Sequence, residues 1–227
     1  MKVITPWRCR LANRFIRAIT FGYTIWPIGG RWFIFKDETG SRTTDIVYAE
    51  IAKSFYEPLV RLEPGDTVID LGGHVGMFTI PLAKAHPDVS FHVYEPHPSN
   101  RKNLLRNLHL NRVANVLVSP LAVTSDGEPV AFHVGEEGNS GSVYARPHKA
   151  GSGAITFTQM RKGFGAVKLL KVDIEGSEFG AFTTENLHGV AGVIAEIHLM
   201  RGRSQEEGRN LESILESVPA SRIMYAS

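Results

Sequence analysis

One segment of the chain, residues 66–78, limits the possible folds more than any other. It reads DTVIDLGGHVGMF, which is an apolar run ending on Asp70, a glycine-rich turn and the first residues of a helical pattern. Glycine tolerates the positive φ that such a turn needs, and it has no side chain to keep a ligand away from the backbone N–H groups. The segment therefore predicts a strand, a ligand-binding turn and a helix in direct succession.

The spacing of the acid and the glycines indicates which ligand the turn binds. Asp70 is followed by Gly72 and Gly76, whereas the dinucleotide fingerprint is G-x-G-x-x-G. A carboxylate at this turn would repel a pyrophosphate, but it would attract a cofactor that has a cationic amino-acid end. S-adenosyl-L-methionine is such a cofactor. The turn thus predicts a methyltransferase and argues against a nicotinamide oxidoreductase.

Composition and charge exclude several other classes. Of the 227 residues, 43% are hydrophobic and 21% are charged, which is ordinary for a globular protein. A formal net charge of +2 provides little phosphate-binding surface, so we do not expect a nucleic-acid partner. The single cysteine, Cys9, excludes an internal disulfide and suits a reducing compartment. No apolar run approaches the ~18 residues of a transmembrane segment, and arginines interrupt the N-terminus where a signal peptide would be apolar, so we expect a cytoplasmic protein.

The first fifty residues differ from the rest and are predicted to form a separate extension, residues 1–50. Apolar residues recur at helical spacing between residues 8 and 19, with arginines around them. A basic amphipathic helix of this kind can lie on a membrane surface or on an acidic partner. Here we expect it to cap the core or the cofactor cleft instead. Residues 22–37 are rich in aromatic and β-branched residues and predict a β-hairpin.

Strands and helices alternate through residues 51–227, which predicts a parallel sheet with helices on both faces. The expected strands cover residues 67–70, 89–95, 116–123, 167–172, 193–197 and 222–227, and the expected helices 45–62, 75–85, 98–111, 177–187 and 206–217. Residues 129–134 predict an antiparallel excursion, and the glycine- and serine-rich residues 135–165 predict a long functional loop. The predicted fold class is therefore α/β, with a Rossmann-like, doubly wound, mostly parallel sheet and an N-terminal helix and hairpin extension.

Acidic residues stand where the predicted strands end, and ligands of doubly wound sheets bind at these ends. Glu95 closes the second strand, where its two oxygens could accept both hydroxyls of an adenosine ribose, although a surface glutamate before a proline turn is the alternative. Asp173 and Glu175 follow the fourth strand, near the expected methyl-transfer position, although both also suit a helix N-terminus. The predicted cofactor-binding set is Asp70, Gly72, Gly73, His74, Gly76, Glu95 and Ala122.

A histidine follows the fifth strand. Glu196 and His198 are two residues apart and so face the same side. Together with Asp173 and Glu175, His198 is a candidate catalytic residue, because imidazole can take a proton from a hydroxyl nucleophile near neutral pH. A lone histidine is more often structural. The same four residues could instead hold a divalent cation that lowers the pKa of a substrate hydroxyl, but their spacing does not require a metal, and we predict none.

With these motifs placed, residues 56–199 resemble the FkbM-type methyltransferases, a branch of the class I S-adenosylmethionine-dependent enzymes. The resemblance rests on DLGGHVG with FT at residues 70–79 and on LKVDIEGSE at residues 170–178. The family usually has asparagine where this chain has His74. The resemblance implies methylation of a hydroxyl on a sugar or secondary metabolite by direct in-line transfer. It also makes Asn139 and Ser140 expected substrate contacts.

Three alternatives remain open at this stage. Class I methyltransferases usually end in a two-strand hairpin, and only one short strand is available here. Either the last strand is missing from this sequence, or the sheet is abbreviated at that edge and completed by a partner chain, as in a homodimer. An RNA methyltransferase shares the fold, but amino-methylating types usually carry an Asn/Asp-Pro-Pro-aromatic turn where this chain has Asp173-Ile174-Glu175-Gly176. A catalytically silent binding or scaffold module is the third alternative.

Overall fold

The structure is a computed structural model, and it describes residues 6–38, 41, 43–53, 59–129, 131–134, 141–145, 153–199 and 203–226. The strands are β1 (Tyr23–Ile28), β2 (Arg31–Lys36), β3 (Thr67–Leu71), β4 (Ser90–Tyr94), β5 (Val116–Ser119), β6 (Ala122–Thr124), β7 (Ala131–Val134), β8 (Gly141–Ala145), β9 (Ala154–Thr156), β10 (Leu169–Val172), β11 (Gly192–Ile197) and β12 (Ala220–Tyr225). The helices are α1 (Pro6–Ile19), α2 (Thr43–Ala52), α3 (Thr79–Ala85), α4 (Pro98–Leu110), α5 (Phe157–Arg161) and α6 (Gln205–Leu215).

A parallel sheet of six strands lies at the centre of the fold. Its order is β12-β11-β10-β3-β4-β5, and every neighbouring pair is parallel. The chain enters the sheet at β3, moves outward through β4 to β5, and returns to the other side of β3 with β10. The strand order therefore reverses between β3 and β10, which is the point where doubly wound folds bind ligands. This topology confirms the predicted α/β class.

Side chains of the central strands alternate between two apolar clusters, one on each face of the sheet. Val68 packs with the hairpin, α3 and α4 on one face, while Ile69 and Leu71 pack with α5 and α6 on the other. All three side chains are fully buried. Because successive strand residues point to opposite faces, a strand covered on both faces has to be apolar throughout, as β3 is until Asp70.

The predicted hairpin is present and forms its own two-stranded sheet, β1 with β2. Its two-residue turn is Gly29-Gly30, and both residues have positive φ, 57° and 79°. Such a turn matches the twist of the two strands and strongly favours glycine. Trp26 and Phe35 are buried against the central domain, whereas Trp32 is exposed.

Asparagine side chains close both outer edges of this hairpin. Each amide accepts a hydrogen bond from a backbone N–H of the strand and donates one to the C=O of the same residue, as a neighbouring strand would. Asn13 of α1 bridges Ile25, and Asn111 and Asn107 of α4 bridge Ile34 and Lys36, with N···O distances between 2.7 and 3.0 Å. The edge groups are thereby paired, and the hairpin is fastened to the central domain through α4.

Two sequence predictions are wrong because of backbone geometry that propensity does not report. Residues 177–187 form a series of turns instead of a helix. Glu175, Gly176 and Gly180 all have positive φ, between 53° and 95°, which is incompatible with continued right-handed helix. The expected strand 116–123 is divided at Pro120, which has no N–H to donate, and β6 leaves the central sheet to pair with β9.

The expected loop at residues 135–165 is also partly structured. It contains β8, β9 and α5. Helix α5 begins with a capping box, in which the Thr156 side chain accepts from the Gln159 N–H and the Gln159 side chain accepts from the Thr156 N–H. Sequence reasoning emphasised the glycines and serines of this segment and missed that capping signal.

The last strand and helix α3 differ in detail from the sequence predictions. β12 pairs parallel with β11 at the edge of the sheet, in place of a terminal hairpin within residues 203–226. Helix α3 begins at Thr79 instead of residue 75, with Pro81 in its first turn, where the missing N–H costs least. Among the residues that the structure describes, every helix is too short or too polar to cross a membrane.

Candidate functional site

A cleft opens at the carboxyl ends of β3, β4 and β10, at the reversal of strand order. It is partly open to solvent. The predicted site residues that line it are Gly72, Gly73, His74, Glu95, Ala122, Asp173 and Glu175. The other lining residues are Thr43, Val47, Met77, Phe78, Tyr94, Pro96, His97, Asn100, Val123, Lys171, Ile174 and Ser177.

The remaining predicted site residues lie elsewhere. Gly76, Asp70 and His198 are not part of the cleft wall. A Cβ on Gly76 would clash with the side chains of Leu104 and Ile80. This glycine therefore allows α3 to pack closely on α4. Asn139 and Ser140, the expected substrate contacts, lie outside the described residues.

Asp70 faces the interior of the protein. Its side chain is 1% exposed, and its Oδ2 accepts a hydrogen bond from the Thr79 hydroxyl at 2.5 Å. Its Oδ1 lies 3.3 Å from the ammonium nitrogen of Lys171. Asp70, which we expected to attract the cofactor, is therefore engaged in an ion pair with Lys171 behind the cleft wall. Lys171 in turn pairs with Asp173, which lines the cleft.

The glycines of the turn are required by close packing between loops. A Cβ on Gly72 would lie 1.7 Å from the carbonyl oxygen of Asp173, and a Cβ on Gly73 would lie 2.1 Å from Val93. Gly72 also has a positive φ of 83°. The glycines were expected to give a ligand access to the backbone, whereas their immediate neighbours are protein atoms. Their absence of side chains brings the two loops of the cleft into direct contact.

Glu95 is the acidic side chain at the base of the cleft. It is 5% exposed, and each of its oxygens accepts one backbone N–H: Oε2 from His74 at 2.7 Å and Oε1 from His97 at 2.9 Å. A carboxylate oxygen has two lone pairs, so both oxygens keep acceptor capacity towards the cleft. Burial raises the pKa of Glu95 to about 7, although the two N–H groups oppose that change. The carboxylate is thus held in one orientation by the turn after β3 and the turn after β4.

Lys171 is the site residue that sequence reasoning missed. It is 4% exposed, lies opposite Asp70 in the β10–β3 register, and donates to the carbonyl of Gly72 at 2.7 Å. Its ammonium also lies 3.1 Å from Oδ2 of Asp173. Burial lowers the pKa of Lys171, but Asp173 and Asp70 outweigh this effect and leave the pKa above its ordinary value. The signal was present in the sequence, because a lysine inside an otherwise apolar strand needs a buried partner.

His198 lies beside the cleft among carboxylates. Its Nδ1 is 3.0 Å from Oε1 of the fully buried Glu178, and its Nε2 is 3.6 Å from Glu175, 3.9 Å from Asp173 and 3.9 Å from Glu196. Burial lowers the pKa of His198, but Glu178 and the other carboxylates outweigh this effect and raise the pKa to about 9. In this arrangement the ring is protonated at neutral pH and donates. The base role expected for His198 stays a prediction, and the carboxylates around it work against that role.

Comparison with known proteins identifies the family. Residues 70–218, more than half of the chain, match the family model described as Methyltransferase FkbM domain. The chain belongs to the FkbM methyltransferase family. This assignment confirms the resemblance seen in the motifs at residues 70–79 and 170–178, and with it S-adenosylmethionine as the cofactor of the family.

More limited similarities accompany the FkbM match. A segment of 64 residues is 39% identical to 31-O-demethyl-FK506 methyltransferase FkbM of Streptomyces tacrolimicus, covering 26% of this chain and 25% of that protein. The match thus spans about a quarter of the length of this curated relative. Among solved structures, precorrin-6y C5,15-methyltransferase from Geobacter metallireducens is 10% identical, with a TM-score of 0.45 over 74% of this chain and 69% of that one. TYW2 of M. jannaschii in complex with AdoMet is 23% identical, with a TM-score of 0.32 over 42% of each chain. Structural similarity at this level carries no information about the substrate.

The residues of the cleft fit the cofactor of the FkbM family. Glu95 presents two oxygens with spare acceptor capacity, which suits the adjacent hydroxyls of a ribose. Val47, Met77, Phe78 and Ile174 provide apolar wall suited to an adenine ring.

Proposed function

We propose that this protein is an S-adenosylmethionine-dependent O-methyltransferase that acts on a hydroxyl of a sugar or secondary metabolite. The observation that carries the proposal is the cleft itself. Glu95 follows β4, Asp173 and Glu175 follow β10, and the Gly72-Gly73 turn follows β3, which lies between these two strands. This separation provides one acidic group for the cofactor and two for the methyl acceptor.

In this proposal residues 51–227 form the methyltransferase domain and residues 1–50 the extension. Helix α2 crosses this boundary, and its residues Thr43 and Val47 line the cleft. The extension therefore contributes to the wall that covers the bound molecules. Asn139 and Ser140 are retained as proposed substrate contacts.

The cofactor end of the cleft is assigned to the turns after β3 and β4. Glu95 accepts the ribose hydroxyls, while Gly72, Gly73, His74 and Ala122 form the surrounding wall. Burial lowers the pKa of His74, so its ring is neutral at physiological pH. It can therefore serve, like the asparagine usual at this position in the family, as an uncharged hydrogen-bonding group. Asp70 and Gly76 support this wall from behind.

The acceptor end is assigned to the loop after β10. When bound, S-adenosylmethionine supplies a methyl group that is already activated for transfer. Asp173, held by Lys171, orients the acceptor hydroxyl, and Glu175 is positioned to receive its proton. Burial raises the pKa of Glu175, which makes it a stronger base than an exposed carboxylate. The reaction is a direct in-line displacement without a covalent enzyme intermediate.

Calorimetric titration with S-adenosylmethionine and S-adenosylhomocysteine tests the cofactor assignment. We expect Glu95→Ala to weaken both at least about 100-fold, because it removes two hydrogen bonds to a charged group worth about 1.5–3 kcal/mol each. Glu185→Ala, at an exposed position outside the cleft, is the control and should bind as wild type does. Unchanged binding to a folded Glu95→Ala protein would refute the ribose assignment.

Turnover measurements then test the reaction class. Hydroxylated sugars and metabolites, amines and RNA are offered as acceptors with labelled cofactor. Methylation of a hydroxyl supports the proposal, and transfer to an amine or to RNA contradicts it. Tight cofactor binding without transfer to any acceptor would instead favour the silent scaffold.

A further inference from the structure

Three segments bring potential metal ligands together beside the cleft. The loop after β10 carries Asp173 and Glu175, β11 carries Glu196, and His198 follows β11 directly. One ligand atom each from Asp173, Glu196 and His198 lies within 4.8 Å of the other two. Asp173 and Glu175 also line the cleft, so the group borders the space assigned to the methyl acceptor.

The distances within this group are too long for hydrogen bonds. His198 Nε2 is 3.6 Å from Glu175 Oε2, 3.9 Å from Asp173 Oδ1 and 3.9 Å from Glu196 Oε1, all beyond hydrogen-bonding range. Around an ion with bonds of about 2.1 Å, adjacent ligand atoms are about 3.0 Å apart and opposite ones about 4.2 Å apart. The three separations from His198 Nε2 fall between these limits, and the whole group lies within 4.8 Å, so small side-chain movements would bring the atoms onto one ion.

The histidine is already oriented for coordination. Glu178, which is fully buried, faces Nδ1 at 3.0 Å, and the same oxygen accepts the N–H of Ile174 at 3.2 Å. A cation that displaces the Nε2 proton, while the Nδ1 proton stays with Glu178, would meet the Nε2 lone pair on the side of the three carboxylates. This is the arrangement in which a carboxylate commonly fixes the tautomer and direction of a metal-binding histidine. The second oxygen of Glu178 is also buried and has no hydrogen-bond partner among the described residues.

The local charge also favours a cation. Lys171 divides its ion pairs between Asp70 and Asp173. Glu175, Glu178 and Glu196 then share the single imidazole of His198, and three carboxylates around one imidazole in a partly buried space are stabilised by an added cation.

We propose that Asp173, Glu196 and His198, with Glu175 beside them, bind a divalent cation at the border of the cleft. One imidazole nitrogen with two or three carboxylate oxygens suits a Mn²⁺-type ion, because this ion accepts both donor types. Binding of the ion does not depend on the proposed function. The role of the ion does rest on it: the cation would hold the acceptor oxygen and lower the pKa of its hydroxyl.

Titration of the full chain with Mn²⁺, followed by the electron paramagnetic resonance signal of the free ion, tests the site. We expect saturable binding of one Mn²⁺ to the wild type. Glu196→Gln and His198→Gln remove a ligand each and should weaken binding more than tenfold, while Glu178→Gln, which alters the support of the histidine, should weaken it about 10–100-fold. Glu185→Gln changes an exposed carboxylate that is not part of this group, and this variant should bind as wild type does. Thermal melts of all variants establish that they are folded.

The outcomes separate this inference from the proposed function. Absence of saturable Mn²⁺ binding to the wild type, or wild-type binding by folded Glu196→Gln and His198→Gln proteins, would overturn the cation site. S-adenosylmethionine binding is measured in parallel without Mn²⁺. If the cofactor binds and Mn²⁺ does not, only the cation site fails; if Mn²⁺ binds and the cofactor does not, the cation site stands and the proposed function fails.

Discussion

Replacing Lys171 by methionine should destabilise the protein strongly, because the ammonium compensates two carboxylates, that of Asp70 inside the sheet and that of Asp173 at the cleft. Methionine approximates the length of the lysine stem but cannot donate to Gly72 or pair with Asp70 and Asp173. Asp70 is 1% exposed and cannot be reached by water to recover the lost interaction. The substitution therefore leaves a buried carboxylate without its cation.

The structure also sets the size of the effect. Breaking a buried ion pair by removing one partner costs about 3–5 kcal/mol. For a chain of this length each kcal/mol corresponds to about 2–4 °C, so the melting temperature should fall by roughly 6–20 °C. Because Lys171 also connects the Gly72 carbonyl to Asp173, the two sides of the cleft should lose their fixed spacing, and S-adenosylmethionine binding should weaken as well.

Urea denaturation followed by circular dichroism measures this loss, and Lys168→Met is the matched control. Lys168 lies 3.7 Å from Asp66 in a pair whose side chains are 30% and 23% exposed, so its removal should cost less than about 1 kcal/mol. Adding Asp70→Asn to Lys171→Met removes the unpaired charge and should restore part of the stability. A loss at Lys171 no larger than that at Lys168, or a double variant no more stable than the single one, would refute the argument.

Two further predictions concern the cleft. Gly72→Ala should unfold at a clearly lower urea concentration than Gly65→Ala. Both positions have positive φ, but a Cβ at Gly72 would lie 1.7 Å from the carbonyl oxygen of Asp173, whereas a Cβ at Gly65 meets no described atom within 4 Å. Equal urea midpoints for the two variants would contradict the packing role of Gly72. The raised pKa of Glu95, about 7 against 4.5 in the unfolded chain, means that the folded state binds this proton more tightly. The stability of wild type relative to Glu95→Gln should therefore be greatest below pH 4.5 and decline as the pH rises through 7. The affinity for S-adenosylmethionine should increase over the same range. Thermal melts and cofactor titrations across this pH range check the two trends.

Local patterns in the chain were sufficient to predict the architecture and much of the cleft wall. The apolar run before Asp70, the glycines after it and the alternation of strands and helices depend on short-range preferences and burial, both of which are visible in sequence. Placing Glu95 and Asp173 at strand ends then needed only the rule that parallel strands end at one edge. These predictions concern which residues occupy an element, and that information is local.

Predictions failed where an isolated backbone angle or a distant contact decided the outcome. The positive φ of Gly180 interrupts the helix expected over residues 177–187, although the composition there permits one. The glycines of the turn were correctly recognised as special, but the atoms that exclude their side chains belong to residues about a hundred positions away or on the next strand.

The sequence by itself thus determined the fold class, the cofactor and the two loops that form the cleft, because each follows from the type and spacing of neighbouring residues. Only the tertiary structure decided that Lys171 stands opposite Asp70 and that Glu178 faces His198. Strand register and loop packing create these pairs between residues far apart in the chain. The effect of a charge on stability depends on such neighbours and on its burial. An ionised carboxylate is well solvated in water, but it destabilises the folded state when it is buried without a partner.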